Sequence, residues 1–227
     1  MAREFEKKLI ERVLTTAGWK VVSGLHPPMR SLVSRLMADR TAHDAVRSVY
    51  SALGGRAPIQ MWSPGRWDIE TENVIVEFDE EQHFNRYRAM TLQCPLYSRF
   101  RVFPLRAYRD FCRDREADCT RKAGTVGYWT KPGAQAHFGP PDPPKVFGIC
   151  GSPRWKQRAF YDMLRDFAPL VLPDLAVVRI ALWDELRICG RTQTIREALQ
   201  ALNDQVAEAL VSLIRVRSGD HRGPGIL

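Results

Sequence analysis

Cysteines are few in this chain, and their arrangement excludes two common ways of stabilising a small fold. Five cysteines occur among 227 residues, and no two of them form a CxxC pair. An odd number without paired spacing does not make a disulfide framework, and Cys112, Cys119, His137 and Cys150 match no common zinc site. We therefore expect buried free thiols in a reducing, cytoplasmic compartment.

Long apolar runs are also lacking. The most apolar stretch, residues 170–183, is interrupted by Pro173, Asp174 and Arg179, whereas a helix needs about 20 apolar residues to cross a bilayer. The first eight residues are charged and contain no apolar segment typical of a signal peptide. These features predict a cytoplasmic protein that does not interact with membranes.

Acidic residues are scarce relative to basic ones, 26 against 34, which gives a formal net charge of +8. This excess favours a polyanionic partner such as nucleic acid. The length suits one core with a small appendage. We predict a core over residues 1–123, a Gly- and Pro-rich connecting loop over 124–145, an extension over 146–217 packed on the core, and a disordered tail over 218–227.

An acidic segment lies within this basic chain, at residues 66–84. Residues 74–78 are β-branched and aromatic, which predicts a strand. Because side chains alternate along a strand, Glu77 and Asp79 share one face with Ile75. Two carboxylates therefore end an otherwise apolar strand.

The polar residues before this strand predict a hairpin. A turn centred on residues 71–72 would place Asp68 opposite Ile75 and diagonal to Glu77. Diagonal neighbours lie about 7–8 Å apart, a spacing at which two carboxylates can bind one divalent cation.

The alternative is a set of solvated acids on an exposed sheet face. Ile75 argues against it, because an apolar residue on the same face indicates that the face is partly covered. The pair Gln82-His83 follows the acids directly. We therefore favour a functional interpretation.

The acidic segment resembles a known nuclease superfamily in the order of six residues, Asp68, Glu77, Phe78, Asp79, Gln82 and His83. An acid, a hairpin, an apolar strand ending in Glu-x-Asp and a following Gln-His pair are similar to the PD-(D/E)XK, or restriction-endonuclease-like, nucleases. The branch most similar is that of very-short-patch-repair endonucleases. The resemblance covers roughly residues 3–110.

The resemblance implies a fold and a reaction. The fold would be α/β, with a mixed central sheet flanked by helices and a C-terminal extension. Asp68 and Glu77 would bind Mg²⁺ or Mn²⁺, with the Phe78 carbonyl as a third ligand. The activity implied is that of an endonuclease hydrolysing phosphodiester bonds.

The catalytic residues beyond the metal ligands depart from the family pattern. Asp79 stands where the superfamily usually has lysine, so Asp79, Gln82 or His83 would position the attacking water. Many nucleases of this superfamily have a first-helix glutamate that reaches the metal, and Glu6 matches that place on an amphipathic helix over residues 3–17. The alternative for Glu6 is the edge of the apolar stripe, paired with a Lys or Arg.

The other segments predict further regular elements. Helices are predicted over residues 28–40, 42–53, 82–92, 107–123 and 154–167, with a long helix from residue 194 that begins with a capping box. Strands are predicted over residues 19–22, 99–105, 145–150 and 175–182. The apolar stripe of the long C-terminal helix is interpreted as core, with a homodimer contact as the alternative.

A second motif, Gly-x-x-Gly-Ser-Pro-Arg at residues 148–154, precedes a predicted helix. Such a loop can bind phosphate through backbone N–H groups at a helix start, and it resembles the phosphate loop of flavodoxin-like FMN reductases. A plain turn is the alternative. We predict nucleic-acid phosphate contacts from six residues, Arg86, Arg88, Arg154, Lys156, Gln157 and Arg158.

Three functional interpretations follow. The leading one is a metal-dependent nuclease that binds nucleic acid, DNA in preference to RNA. The second is a catalytically idle nucleic-acid-binding module on the same fold. The third is a flavin- or phosphate-binding oxidoreductase that uses the 148–154 loop.

Overall fold

Three strands form the central sheet of the protein. The computed structural model describes residues 2–58, 61–121, 123–124 and 127–219. Strand β1 (Ile69–Glu70) pairs antiparallel with β2 (Val74–Asp79), and β2 pairs parallel with β3 (Ala176–Ala181). All six residues of β2 are buried. The predicted mixed sheet flanked by helices is confirmed.

Helices make up most of the remaining regular structure. The α-helices among the described residues are α1 (Ala2–Thr16), α2 (Met29–Ala38), α3 (Arg40–Ala52), α4 (Arg86–Thr91), α5 (Leu105–Asp114), α6 (Glu116–Arg121), α7 (Pro132–Phe138), α8 (Pro153–Asp166), α9 (Ile195–Gln200) and α10 (Asp204–Ser218). Short 3₁₀ helices lie at Glu81–His83, Pro95–Arg99 and Ala168–Leu170, and a separate hairpin joins β4 (Glu185–Ile188) to β5 (Arg191–Thr194). No described helix is long and apolar enough to cross a membrane.

Two helices position the sheet. Helix α8 packs beside α4 and α7, and its Asp162 and Asp166 contact Arg179 of β3. Helix α10 packs on β3 and β4 and touches α1. The apolar stripe of α10 is buried within the chain at Val206 and Leu210, so these residues form core, as the main interpretation expected.

The hairpin register differs from the prediction by two residues. The pairing sets Asp68 opposite Glu77, whereas we predicted Asp68 opposite Ile75. Thr71 closes the turn, because its backbone N–H (2.9 Å) and its hydroxyl (2.7 Å) both donate to the Val74 carbonyl. The two acids are therefore direct neighbours, closer than the diagonal spacing expected.

Three predicted strands are not strands in the structure. Residues 19–22 are not assigned to a strand, although the Val22 N–H donates to the Glu70 carbonyl at 3.0 Å. Residues 99–105 contain the end of a 3₁₀ helix and a turn, and residues 145–150 form a loop. These segments have strand-forming residues but no complete neighbouring strand, and pairing is what stabilises a strand.

The predicted division of the chain also changes. The extension supplies β3, which pairs with β2 along all six of its residues, so residues 146–217 complete the central sheet. The connecting loop contains helix α7. The helix predicted from residue 194 begins with the expected capping box of Thr194 and Glu197 but is divided into α9 and α10. Residues 220–227 of the predicted tail lie outside the described residues.

Candidate active site

Asp68 and Glu77, which we call the acid pair, lie opposite each other at the end of the β1–β2 hairpin. The backbone N–H of Asp68 donates to Glu77 Oε1 at 3.1 Å, and that of Phe78 donates to Asp68 Oδ2 at 3.2 Å. The N–H and C=O of one strand residue point toward the same neighbour, so the Phe78 carbonyl lies on the Asp68 side of β2. Two carboxylates and one carbonyl therefore lie together at this edge of the sheet.

Cationic side chains border the acid pair. Lys7 of α1 donates to Asp68 Oδ1 at 2.9 Å, and Arg165 Nε of α8 lies 3.8 Å from Glu77 Oε2. Burial raises the pKa of Glu77 to about 7, an effect that Arg165 opposes and the Asp68 carboxylate reinforces. A carboxylate that ionises near neutral pH beside a second acid is stabilised by an added cation.

A second group of ligand-type side chains lies between β2 and α8. Asp79, His83 and Asp162 are buried, and their ligand atoms all lie within 4.8 Å of one another. His83 Nδ1 is 2.8 Å from Asp162 Oδ2 and 3.0 Å from Asp79 Oδ1. By residue type and spacing, these three side chains could also hold a metal ion.

The guanidinium of Arg179 lies inside this second group. Its Nη1 is 2.7 Å from Asp79 and 3.5 Å from Asp162, and its Nε is 2.7 Å from Asp166. Arg179 is only 1% exposed. A buried cation with these hydrogen bonds already compensates the carboxylates, so we regard Asp79, His83, Asp162, Asp166 and Arg179 as a buried charge cluster that shapes the site.

The charge state of His83 follows from the buried charge cluster. Burial alone would lower the pKa of His83, but the carboxylates of Asp162, Asp79 and Glu80 raise it to about 9. His83 is therefore an imidazolium at neutral pH and cannot accept a proton from water. The other ring nitrogen of His83, Nε2, is buried and has no hydrogen-bond partner among the described residues. It lies 3.5 Å from Glu80 Oε2.

The pH dependence of unfolding should report this imidazolium. The folded pKa of about 9 exceeds the ordinary value of 6.5, so the stabilisation is complete below pH 6.5 and is lost as pH rises through 9. We expect His83 to contribute about 3 kcal/mol of this loss. The measurement is urea unfolding between pH 6 and 10 for wild type and His83→Gln.

His43→Gln is the matched control, because the His43 side chain is 37% exposed on α3. It should keep the wild-type pH profile, whereas His83→Gln should flatten that profile. Equal profiles for wild type and His83→Gln would refute a charged His83.

The three residues predicted to position the attacking water are held by protein partners. Asp79 Oδ2 accepts from the Tyr108 hydroxyl at 2.9 Å, and Gln82 Oε1 accepts from Arg158 at 2.8 Å. His83 is protonated and bound by carboxylates. Their observed contacts fit a supporting role for all three around the acid pair.

Arg88, for which a contact with nucleic-acid phosphate was predicted, lies in the interior of the protein. It is 1% exposed, and its guanidinium donates to Asp166 at 2.7 Å and to the Tyr97 hydroxyl at 3.0 Å. Lys156 and Gln157 are also buried, at 8% and 5% exposed. A phosphate on a nucleic-acid backbone cannot reach an interior guanidinium, so the nucleic-acid contact predicted for Arg88 is corrected to a structural ion pair.

The other predicted phosphate contacts lie nearer the surface. Arg86 makes a two-point contact with Glu116 and lies 3.7 Å from the Phe147 ring centroid. Arg154 and Arg158 are half-buried on α8. Burial lowers the pKa of Lys131, and the nearby charges of Arg154 and Arg158 add to this effect.

The 148–154 loop is filled by the protein's own groups. The Gly151 N–H donates to the Asp142 carboxylate, and the Ser152 N–H donates to the Tyr87 hydroxyl at 3.3 Å. A Cβ at Gly148 would lie 2.9 Å from the same Asp142 carboxylate. Asp142 therefore occupies the place of an anion, and the predicted phosphate-binding loop is corrected to an internally satisfied turn.

Several residues of the site were not identified from the sequence. Lys7 follows the predicted Glu6, which is half-buried on α1, and no pattern distinguishes the two before α1 is placed. Asp162 and Arg165 lie on α8, where the apolar residues at helical spacing predict a helix but give no signal for these two charged residues. Arg179 carried a usable signal, because a charge inside an apolar strand indicates a buried partner.

The family comparison covers most of these residues. The sequence model of one protein family, described as a family of unknown function (DUF7255), matches residues 48–201, about two thirds of the chain. The match contains the acid pair and the buried charge cluster but not α1. No curated protein and no solved structure matches the chain. With most of its length and nearly all of its candidate site inside the match, the chain belongs to this family of unknown function, DUF7255.

Proposed function

We propose that this protein is a metal-dependent nuclease that hydrolyses phosphodiester bonds, with DNA as the first candidate substrate. The observation that carries the proposal is the acid pair. The carboxylates of Asp68 and Glu77 lie opposite each other across the β1–β2 hairpin. The pKa of Glu77 is raised to about 7. Functional carboxylates are commonly found in such arrangements.

The residues of the acid pair fit a hard divalent cation. Mg²⁺ and Mn²⁺ prefer oxygen ligands, and Mg²⁺ is often held by one or two carboxylates with water completing its shell. Asp68, Glu77 and the Phe78 carbonyl offer oxygen alone. The Asp79–His83–Asp162 group fits less well, because its His83 is an imidazolium at neutral pH and Arg179 Nη1 lies 2.7 Å from Asp79, against 3.9 Å from Glu77.

The chain's own residues would support the reaction as follows. A bound divalent cation would supply a water of lowered pKa and would stabilise charge on the phosphate. Lys7, 2.9 Å from Asp68, would place a further positive charge beside the phosphate. Arg165 Nε is buried with no hydrogen-bond partner among the described residues and lies 3.8 Å from Glu77, so it would orient the ionised Glu77.

Charge over the whole chain supports a nucleic-acid substrate. The net charge of +8 attracts a polyanion. Lys131 is exposed, Arg154 and Arg158 are half-buried, and Arg158 contacts Gln82, which directly precedes His83. We propose that these cations contact phosphates of the bound strand.

One observation favours the catalytically idle binding module as a second candidate. Lys7 donates to Asp68 at 2.9 Å and so partly neutralises a proposed metal ligand. The flavin-dependent alternative loses its main support, because Asp142 fills the 148–154 loop.

The direct test is cleavage. The purified protein is incubated with supercoiled plasmid, linear duplex and single-stranded DNA and RNA, in Mg²⁺, Mn²⁺ or EDTA. We expect cleavage in at least one metal and none in EDTA. An idle module would bind equally well in all three conditions and cut in none, and that result would refute the nuclease proposal.

A further inference from the structure

A cleft of about 670 Å³ opens beside the acid pair. Its lining comes from the segments at residues 21–30 and 63–70, with Glu11 of α1. Asp68 belongs to both the cleft and the acid pair. A molecule in this cleft would therefore lie directly against a proposed metal ligand.

The walls of the cleft are fixed by hydrogen bonds. Both oxygens of the Glu70 carboxylate accept backbone N–H groups, from Gly24 at 2.9 Å and from His26 at 3.0 Å. The His26 ring nitrogen Nε2 lies 2.7 Å from the Thr71 carbonyl oxygen. These contacts join the 21–30 segment to β1, so the two walls of the cleft are held in fixed positions relative to each other. They also satisfy the Glu70 charge internally.

The cleft also has the side chains expected for a phosphorylated ligand. Arg30 and Arg66 line it, and both are exposed. Guanidinium groups bind phosphate through two parallel hydrogen bonds. Trp67 lines the cleft as well, is 92% buried, and has an indole N–H without a hydrogen-bond partner among the described residues.

The size of the cleft restricts the ligand. Its volume lies in the range of small-molecule sites, about 300–1,000 Å³, and a single nucleotide belongs to that size class. We propose that the cleft binds one unpaired nucleotide of the substrate strand, next to the bond that is cut, with its phosphates on Arg30 and Arg66. This inference rests on the proposed nuclease function.

The test uses thymidine 3′,5′-bisphosphate as the probe, titrated calorimetrically into the full chain in EDTA. Arg66→Ala and Arg30→Ala should each weaken binding about tenfold, the loss of one charge-assisted contact. Arg35→Ala is the matched control, because Arg35 is exposed on the same helix as Arg30 and does not line the cleft. A single-stranded oligonucleotide should displace the probe, and a blunt duplex should not.

The outcomes separate this inference from the nuclease proposal. The cleft assignment would be overturned if the wild type did not bind the probe, even if the protein cleaves DNA. It would also be overturned if wild type and all three arginine variants bound the probe with equal affinity. Displacement by duplex as efficient as by single strand would also overturn it. Arginine-dependent probe binding in a protein that cuts no substrate would refute the nuclease and leave a nucleotide-binding cleft.

Discussion

Glu77→Gln and Asp68→Asn should each lower nucleic-acid cleavage by at least about a thousandfold. Each change removes one charge from the acid pair and keeps the side-chain size. A catalytic metal stabilises transition-state charge by several kcal/mol, and each 1.4 kcal/mol corresponds to a factor of ten. The measurement is the initial cleavage rate at saturating Mn²⁺, with Mn²⁺ affinity determined calorimetrically for the same proteins.

Glu72→Gln is the control, because Glu72 lies in the same hairpin with its side chain 64% exposed. It should cleave at the wild-type rate. Glu77→Gln should also remain folded, since burial already disfavours the ionised form of Glu77. Wild-type activity in either acid-pair variant would place the metal elsewhere.

Arg179→Met should lower the free energy of unfolding by about 3–5 kcal/mol, the usual cost of leaving buried charges without their partner. The change keeps an apolar stem of similar length but removes the cation shared by Asp79, Asp162 and Asp166. The measurement is the urea unfolding curve of each protein at pH 7. The free energies of unfolding are compared with the same dependence on urea concentration for wild type and variant.

Arg187→Met provides the comparison on another strand, because Arg187 is exposed on β4 and exposed substitutions usually change stability by less than about 0.5 kcal/mol. Arg179→Lys should fall between wild type and Arg179→Met, since an ammonium keeps the charge but cannot make the guanidinium's separate contacts. A loss below about 1 kcal/mol in Arg179→Met would show that the cluster does not depend on this cation.

Much of the fold was predictable wherever the signal was local. The β-branched run at residues 74–78 predicted β2, and Thr194 with Glu197 predicted the start of α9. The turn of the β4–β5 hairpin, which we did not predict, has positive φ at both Cys189 and Gly190. That is the geometry of a two-residue type I′ turn, in which glycine at the second position is the usual signal.

Prediction failed where an element depended on a distant partner. Residues 145–150 have strand-forming side chains, but the segment lies in a loop that leads to Gly151, whose N–H donates to Asp142. Residues 175–182 were predicted as a strand of an appended unit, and β3 instead completes the central sheet beside β2. Which strands pair is decided by the packing of whole elements, which short-range periodicity does not report.

The sequence by itself determined which chemical groups the site has and which face of β2 carries them. Residue type and a period of two place Glu77 and Asp79 on one side of a buried strand, and the excess of basic residues sets the overall charge. The tertiary structure alone decided their partners. Lys7 contacts Asp68 across 61 residues, and Arg179 contacts Asp79 across 100. Lys7 of α1 reaches the β1–β2 hairpin, and β3 pairs with β2 along its whole length, so the placement of these two elements determines which cation each carboxylate contacts.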